Sequence, residues 1–364
     1  MKIRGSIGNP GNQNFDAGMV FNTYTYNPNY HNLFGLSSFI SSYGNRNLKW
    51  QKTIDSNIGL DLEVLDHRLR LNFDTYKKVT DSLLIYISVP ISTGTNQVPY
   101  NVGTSVSTGY SFMANYSIIR KNGINWQVNT NGRYNKSVYK EIGKLLDSFN
   151  KDNLASRSLN RYYDNGSPTD LWAVKSAGID PATGREIFIK KDGSQTFTFD
   201  YADEVIVGNS NPDIEGILGT SLYYKKFTFA FNVRYRFGGD TFLSALFDKV
   251  ENISSSSIRY NQDKRALYDR WQKPGDQAKF KAISLTESTP MSSRFVTSEN
   301  TIAGESISLG YETNDQKLHS LGVSSVNFRL YLNDIFRIST VKNERGIDYP
   351  FERSVSFTVG LRFL

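Results

Sequence analysis

The chain has 364 residues, of which 38% are hydrophobic and 13% aromatic; its net charge is +7 and it has no cysteine. That length fits about two domains or one large β domain, and the missing cysteines exclude disulfide frameworks and thiolate metal sites. No run of 18 apolar residues occurs and mean hydropathy is −0.44, which excludes a transmembrane helix but not a transmembrane barrel, whose strands are only half apolar. The basic residues form no cluster, so the charge reads as a mildly basic surface with some attraction for anionic lipid head groups, and no nucleic-acid partner is expected. The first residues lack the apolar segment and cleavage site of a signal peptide.

In chain order, residues 2–8 read as a short strand and residues 9–55 as a loop rich in Gly, Asn, Pro and Tyr. Ile58, Leu60, Leu62 and Val64 then alternate with Gly59, Asp61 and Glu63; Asp66-His67 marks a turn; and Leu69, Leu71 and Phe73 alternate with Arg68, Arg70 and Asn72. This is a hairpin by spacing. After a loop over 78–105, a second hairpin turns at Lys121-Asn122-Gly123, with Tyr110, Phe112, Ala114 and Tyr116 on one parity of its first arm. A long irregular segment covers about 139–212. A third hairpin turns at Lys225-Lys226, and its second arm sets Phe227, Phe229, Phe231, Val233, Tyr235 and Phe237 against Thr228, Ala230, Asn232, Arg234 and Arg236. Another irregular segment, about 238–303, leads to a fourth hairpin carrying Ile307, Leu309 and Tyr311, then Val326, Phe328, Leu330 and Leu332. A loop over 334–353 precedes the closing strand, in which Val355, Phe357, Val359, Leu361 and Phe363 share one face.

The connections alternate strictly between long and short. A Greek-key sandwich has no reason to keep that rhythm, whereas a membrane barrel ties its hairpins tightly at the periplasmic rim and loosely outside. About 11 residues at ~3.3 Å each, tilted ~45°, rise about 25 Å, matching the apolar band of such barrels. The pattern therefore predicts an all-β, antiparallel transmembrane β-barrel of about ten strands with long extracellular loops, short periplasmic turns and a periplasmic C-terminus.

Several stretches carry a family resemblance. Residues 3–8 (IRGSIG) with Gly11-Asn12-Gln13-Asn14, residues 47–53 (NLKWQKT) with 57–61 (NIGLD), residues 177–184 (AGIDPATG), residues 269–276 (DRWQKPGD) and residues 306–311 (SISLGY) occur in that order. The set resembles the C-terminal barrel half of SusC/RagA-type TonB-dependent outer-membrane transporters. The resemblance implies a roughly 22-strand barrel, of which residues 1–364 supply the C-terminal part of one barrel domain. The family's plug domain, TonB-contacting segment and signal peptide have no counterpart in this sequence. It further implies import of oligosaccharides or peptides, a SusD-type surface lipoprotein and the TonB complex as partners, and a place in the cell outer membrane in contact with the lipid bilayer. An isolated half-barrel leaves unpaired edges that are expensive in hydrocarbon, so the chain is either part of a larger wall or closes on itself as a small barrel serving as porin or structural protein; ten strands would leave little open lumen, which favours the first. A soluble β-rich carbohydrate-binding module is the other alternative.

The three histidines, His31, His67 and His319, fall in or beside loops and turns, and no catalytic or phosphate-binding motif is present, so no enzyme activity, metal or cofactor is expected. The acidic stretch 209–215 reads as a polar turn before a Ca²⁺ site, and residues 180–184 (DPATG) as a turn. Binding chemistry belongs in the long loops. Their aromatics Tyr162, Tyr163, Trp172 and Trp271 are the candidates for stacking on a sugar ring or meeting a partner, with packing among the loops themselves as the competing reading.

Overall fold

The computed structural model describes residues 1–12, 17–95, 97–155, 158–284, 288–342 and 353–364. Gln13 and Asn14 of the first motif and most of the last loop lie outside them. Ten strands form one antiparallel path: β1 (Lys2–Gly8), β2 (Gln51–Val64), β3 (Leu69–Asp81), β4 (Thr104–Lys121), β5 (Ile124–Lys140), β6 (Ile214–Tyr224), β7 (Phe227–Phe237), β8 (Thr301–Thr313), β9 (Val323–Ser339) and β10 (Val355–Phe363). Spatial order equals sequence order, and the eleventh member of the sheet, Gly11–Asn12, pairs with the start of β2. Each strand thus returns beside its predecessor, as in the wall of an up-and-down barrel. The path ends at β1 and β10, which leaves two free edges among the described residues.

Short links join β2 to β3, β4 to β5, β6 to β7 and β8 to β9. Asn122 and Gly123, both with positive φ, form a two-residue turn of the type that matches strand twist, and Lys225 has positive φ in the equivalent turn. All the long segments leave from the opposite rim, as the rhythm of the sequence predicts. The strands run further than their patterns show. β9 continues to Ser339 past Asp334, which has positive φ at a register shift and breaks the alternation.

Directly opposed residues share a face, so the register sorts the wall. One row reads Ile124, Tyr224, Phe227, Tyr311, Phe328 and Val359. A second reads Thr130, Leu218 and Val233. A third reads Thr75, Tyr110 and Tyr134. The first and third rows form aromatic girdles. Phe227 and Tyr311 have ring centroids 4.9 Å apart, and Tyr110 stacks on Tyr134 at 5.1 Å. Ten residues separate Ile124 from Tyr134, and at ~3.3 Å each and ~45° tilt the girdles stand about 23 Å apart. The opposite face carries cross-strand ion pairs: Arg4 with Asp61 and Asp74, Arg133 with Glu215, and Arg234 with Glu305. Glu305 is the extra residue of a bulge in β8, which places its carboxylate 2.6 Å from Arg234.

The location of the buried core separates the wall from a soluble sandwich. Among the described residues, every buried hydrophobic side chain except Val326 lies in the long loops. The wall's apolar face is uncovered: Phe357 is 65% exposed and Val359 49%. A soluble sheet of this size hides such a face against a second layer; none covers it among the described residues.

Small residues let the rings of this face lie flat. A Cβ at Gly132 would meet the Phe112 ring and the Tyr235 hydroxyl, and one at Gly216 would meet the same hydroxyl and the Asn131 carbonyl. The Tyr235 hydroxyl donates to that carbonyl at 2.7 Å. Gly216→Val is expected to destabilise the assembled protein by about 1–3 kcal/mol through overpacking, seen as a lower denaturant midpoint for the folded form on cold gel electrophoresis. An unchanged midpoint would mean the ring does not lie there.

Candidate functional site

Of the two segments expected to be irregular, the first contains a small sheet, while the second holds only short helical turns and three-residue strands between irregular stretches. The described residues of 141–213 and 238–300 pack together as a cap on the long-loop rim. The first contributes a four-stranded sheet in which Asp170–Ile179 lies between Glu186–Ile189 and Glu204–Asn209, with Gln195–Thr196 at the edge. The second contributes an apolar cluster of Phe247, Val250, Ala266, Phe280 and Phe295, which meets Leu159, Leu171 and Ala173 of the first through Phe242 and Met291. These apolar residues come from short pieces without a period, which hides them from pattern reading.

A buried charge cluster joins the two segments. Arg294 Nη2 lies 3.1 Å from Glu186 and 2.8 Å from Glu251; the three side chains are 11%, 3% and 0% exposed. Ser292 donates to Glu186 at 2.5 Å and Thr289 to Glu251 at 3.0 Å. Burial pushes the Arg294 guanidinium down, yet the hydrogen bonds and charge of the two carboxylates outweigh it and hold it above its ordinary value. Nearby, Arg265 holds the Asp263 carboxyl down at about 2. The folded value lies below the unfolded one, so this stabilisation is complete above about pH 4 and is lost as pH falls from there toward 2. Protection factors for the amides of 263–268 are therefore expected to stay level between pH 8 and 5 and to fall at pH 3. A drop between pH 8 and 5 would contradict the assignment.

The two motifs at 177–184 and 269–276 meet in space. Trp271 lies over Gly184, whose φ of +69° and absent side chain admit the ring. Its indole Nε1 donates to the Pro181 carbonyl at 2.8 Å, and Gly275 N donates to the same oxygen at 2.8 Å. Asp180 accepts from Ala182 N, Thr183 N and the Thr183 hydroxyl, which confirms the turn read from residues 180–184. Trp271 thus clasps the cap. Tyr162 also packs inward, with centroids 5.3 Å from Tyr139 and 5.4 Å from Phe149. Tyr163 and Trp172 are brought together, 5.0 Å apart; Tyr163 is 37% exposed, and the buried Trp172 indole N–H has no hydrogen-bond acceptor among the described residues. The two rings are tilted 53° to one another and the indole nitrogen is buried, so of the four candidates Tyr163 is the most exposed. In the stretch 209–215, Asn209 donates to Asp170 at 2.7 Å and receives a hydrogen bond from Thr169, an arrangement that shapes the entry to β6.

A second surface escaped residue-by-residue reading because it lies on the strands. A groove of about 430 Å³ crosses the polar face of β3 to β7, lined by Asn72, Asp74, Asn131, Arg133, Glu215 and Arg234. Parity held its signal: in a closed wall this face lines the lumen. The first loop adds a hairpin, Thr23–Asn32 with Gly35–Ser42, whose tip residues Leu33 and Phe34 are each 97% exposed.

The antiparallel path, the largely apolar outer face and the one-sided loops define the wall of an outer-membrane-type β-barrel, and the known proteins this chain is similar to are of that class. Residues 13–165 match the family model described as TonB dependent receptor-like, beta-barrel. The chain is similar to TonB-dependent receptor P39 of Formosa agariphila (25% identity over 387 residues, 92% of this chain and 36% of the relative) and to TonB-dependent receptor SusC of Bacteroides thetaiotaomicron (26% over 339 residues, 87% and 32%). Its fold matches the RagAB peptide transporter (TM-score 0.77, 18% identity, 94% of this chain and 37% of that one) and the RagAB peptide importer in its closed-closed state (TM-score 0.79, 19% identity, 99% and 40%). The chain spans about a third of the length of the curated relatives it matches. The chain is thus similar to the barrels of TonB-dependent receptors, and its similarity to SusC, like the resemblance carried by the motifs, runs along most of its length.

Proposed function

We propose that this chain is the C-terminal part of one barrel domain in an outer-membrane, TonB-dependent importer of oligosaccharides or peptides. The observation that carries the proposal is the sorting of the wall: an uncovered apolar face bounded by two aromatic girdles, against a face of paired charges. The first suits lipid and the second a wet lumen. In this reading the cap and the Tyr163–Trp172 pair face the outside, where a SusD-type lipoprotein meets the loops, and the groove along Asn131, Arg133 and Glu215 lies on the substrate's path. The short turns and the C-terminus are periplasmic, and the TonB complex drives transport. The protein binds and moves its substrate without chemistry on it, in keeping with relatives that are named as receptors. Deleting the gene in its own bacterium and measuring growth on a panel of oligosaccharides and peptides tests the proposal. The expected result is loss of uptake of one substrate class and co-purification of a surface lipoprotein with the protein. Unimpaired growth on every substrate, or recovery of the protein in the soluble fraction, would overturn it.

A further inference from the structure

The apolar face carries an exception to its own rule. On β2 to β5 no charged side chain faces this way from Val64 and Leu69 at the short-turn rim up to the row of Ile58, Thr75, Tyr110 and Tyr134. The next row reads Ser56, Lys77, Thr108 and Lys136. Both lysines are exposed, and neither forms an ion pair among the described residues. The carboxylates on this side lie further out: Asp81, two rows on and opposite Lys52, is turned to Ser82 N and the Thr104 hydroxyl, and Glu141 accepts from the same hydroxyl. Below the lysines runs a groove of about 400 Å³ lined by Ser56, Ile58, Thr75, Lys77, Tyr110 and Tyr134. Its lower part is apolar and aromatic, its middle carries hydroxyls and its top a cation. That gradient matches a lipid at the junction of chain and head group. A lysine deep in hydrocarbon is costly, but one just past an aromatic girdle reaches an anionic head group at little cost.

We propose that Lys77 and Lys136, with the groove beneath them, form a binding site for one anionic, phosphorylated lipid of the leaflet on the long-loop side. The Tyr110–Tyr134 stack supports its acyl chain, the hydroxyls of Ser56, Thr75 and Thr108 meet its glycerol or sugar portion, and the two ammonium groups hold its phosphate. The inference rests on the membrane reading above. Adjacent Lys78 supplies the internal control, because it sits opposite Asp55 and Ser107 on the other face.

The test is native mass spectrometry of the protein extracted from outer membranes in mild detergent. Each lysine near an anionic surface contributes about a fivefold gain in binding, so Lys77→Ala/Lys136→Ala is expected to retain roughly 25-fold less phosphorylated lipid, while Lys78→Ala retains the wild-type amount. The wild-type protein should capture phosphatidylglycerol in preference to phosphatidylcholine, and millimolar inorganic phosphate should not displace it. Equal retention by the double variant, equal loss in Lys78→Ala, no preference for the anionic lipid, or displacement by free phosphate would each overturn the site. Both variants should keep the heat-dependent gel shift of the wild type. A protein that needs no detergent would instead defeat the membrane reading itself.

Discussion

Leu218→Arg is expected to cost about 2–4 kcal/mol of the folded protein's stability in a bilayer, because it places a charge midway between the girdles on the apolar face. Leu218 opposes Thr130 and Val233 and is 46% exposed, so no lost core contact explains a penalty of that size. The comparison is Ser221→Arg on the same strand. Ser221 opposes Gln127 and Ala230 on the polar face, where a guanidinium stays hydrated. Urea titration of the protein refolded into liposomes should show a much lower midpoint for Leu218→Arg and almost none of that loss for Ser221→Arg. Equal effects would mean that the two parities do not face different solvents.

Arg294→Ala is expected to remove about 3–5 kcal/mol from the cap, because it leaves Glu186 and Glu251 buried without a counter-charge. The loss should stay local. The cap has its own apolar clusters, whereas the wall is held by strand pairing. Protease added to intact cells should therefore cut Arg294→Ala within residues 180–295 and leave a barrel that still shows its heat-dependent gel shift. Resistance equal to wild type would show that the charge cluster does not hold the two segments together. Loss of the whole barrel would show that cap and wall fold as one unit.

These two sites also mark what the sequence discloses and what it hides. The wall was legible because a strand half in oil must alternate: Phe227 to Phe237 writes its two faces in plain order, and the long-short rhythm of the links places the rims. The cap was not. Phe242, Phe247, Phe280 and Phe295 come from separate short pieces, and the contact of Trp271 with Gly184 closes a distance in sequence that no local pattern spans. The candidate aromatics were legible as residue types but not as roles. Only the fold separates Trp271 and Tyr162, which pack, from Tyr163 and Trp172, which pair near the surface. The polar groove and the Lys77–Lys136 row depend on register, which a single strand does not carry.

The most direct test is a cysteine scan along β7, which the absence of native cysteine allows. Single cysteines from Phe229 to Arg234, in protein embedded in a bilayer, are probed with a membrane-impermeant maleimide and with a lipid-borne quencher of an attached fluorophore. The account predicts a strict period of two: positions 229, 231 and 233 quenched by lipid and closed to the maleimide, positions 230, 232 and 234 labelled from water and unquenched. Uniform labelling, or apolar positions shielded from both reagents, would contradict it.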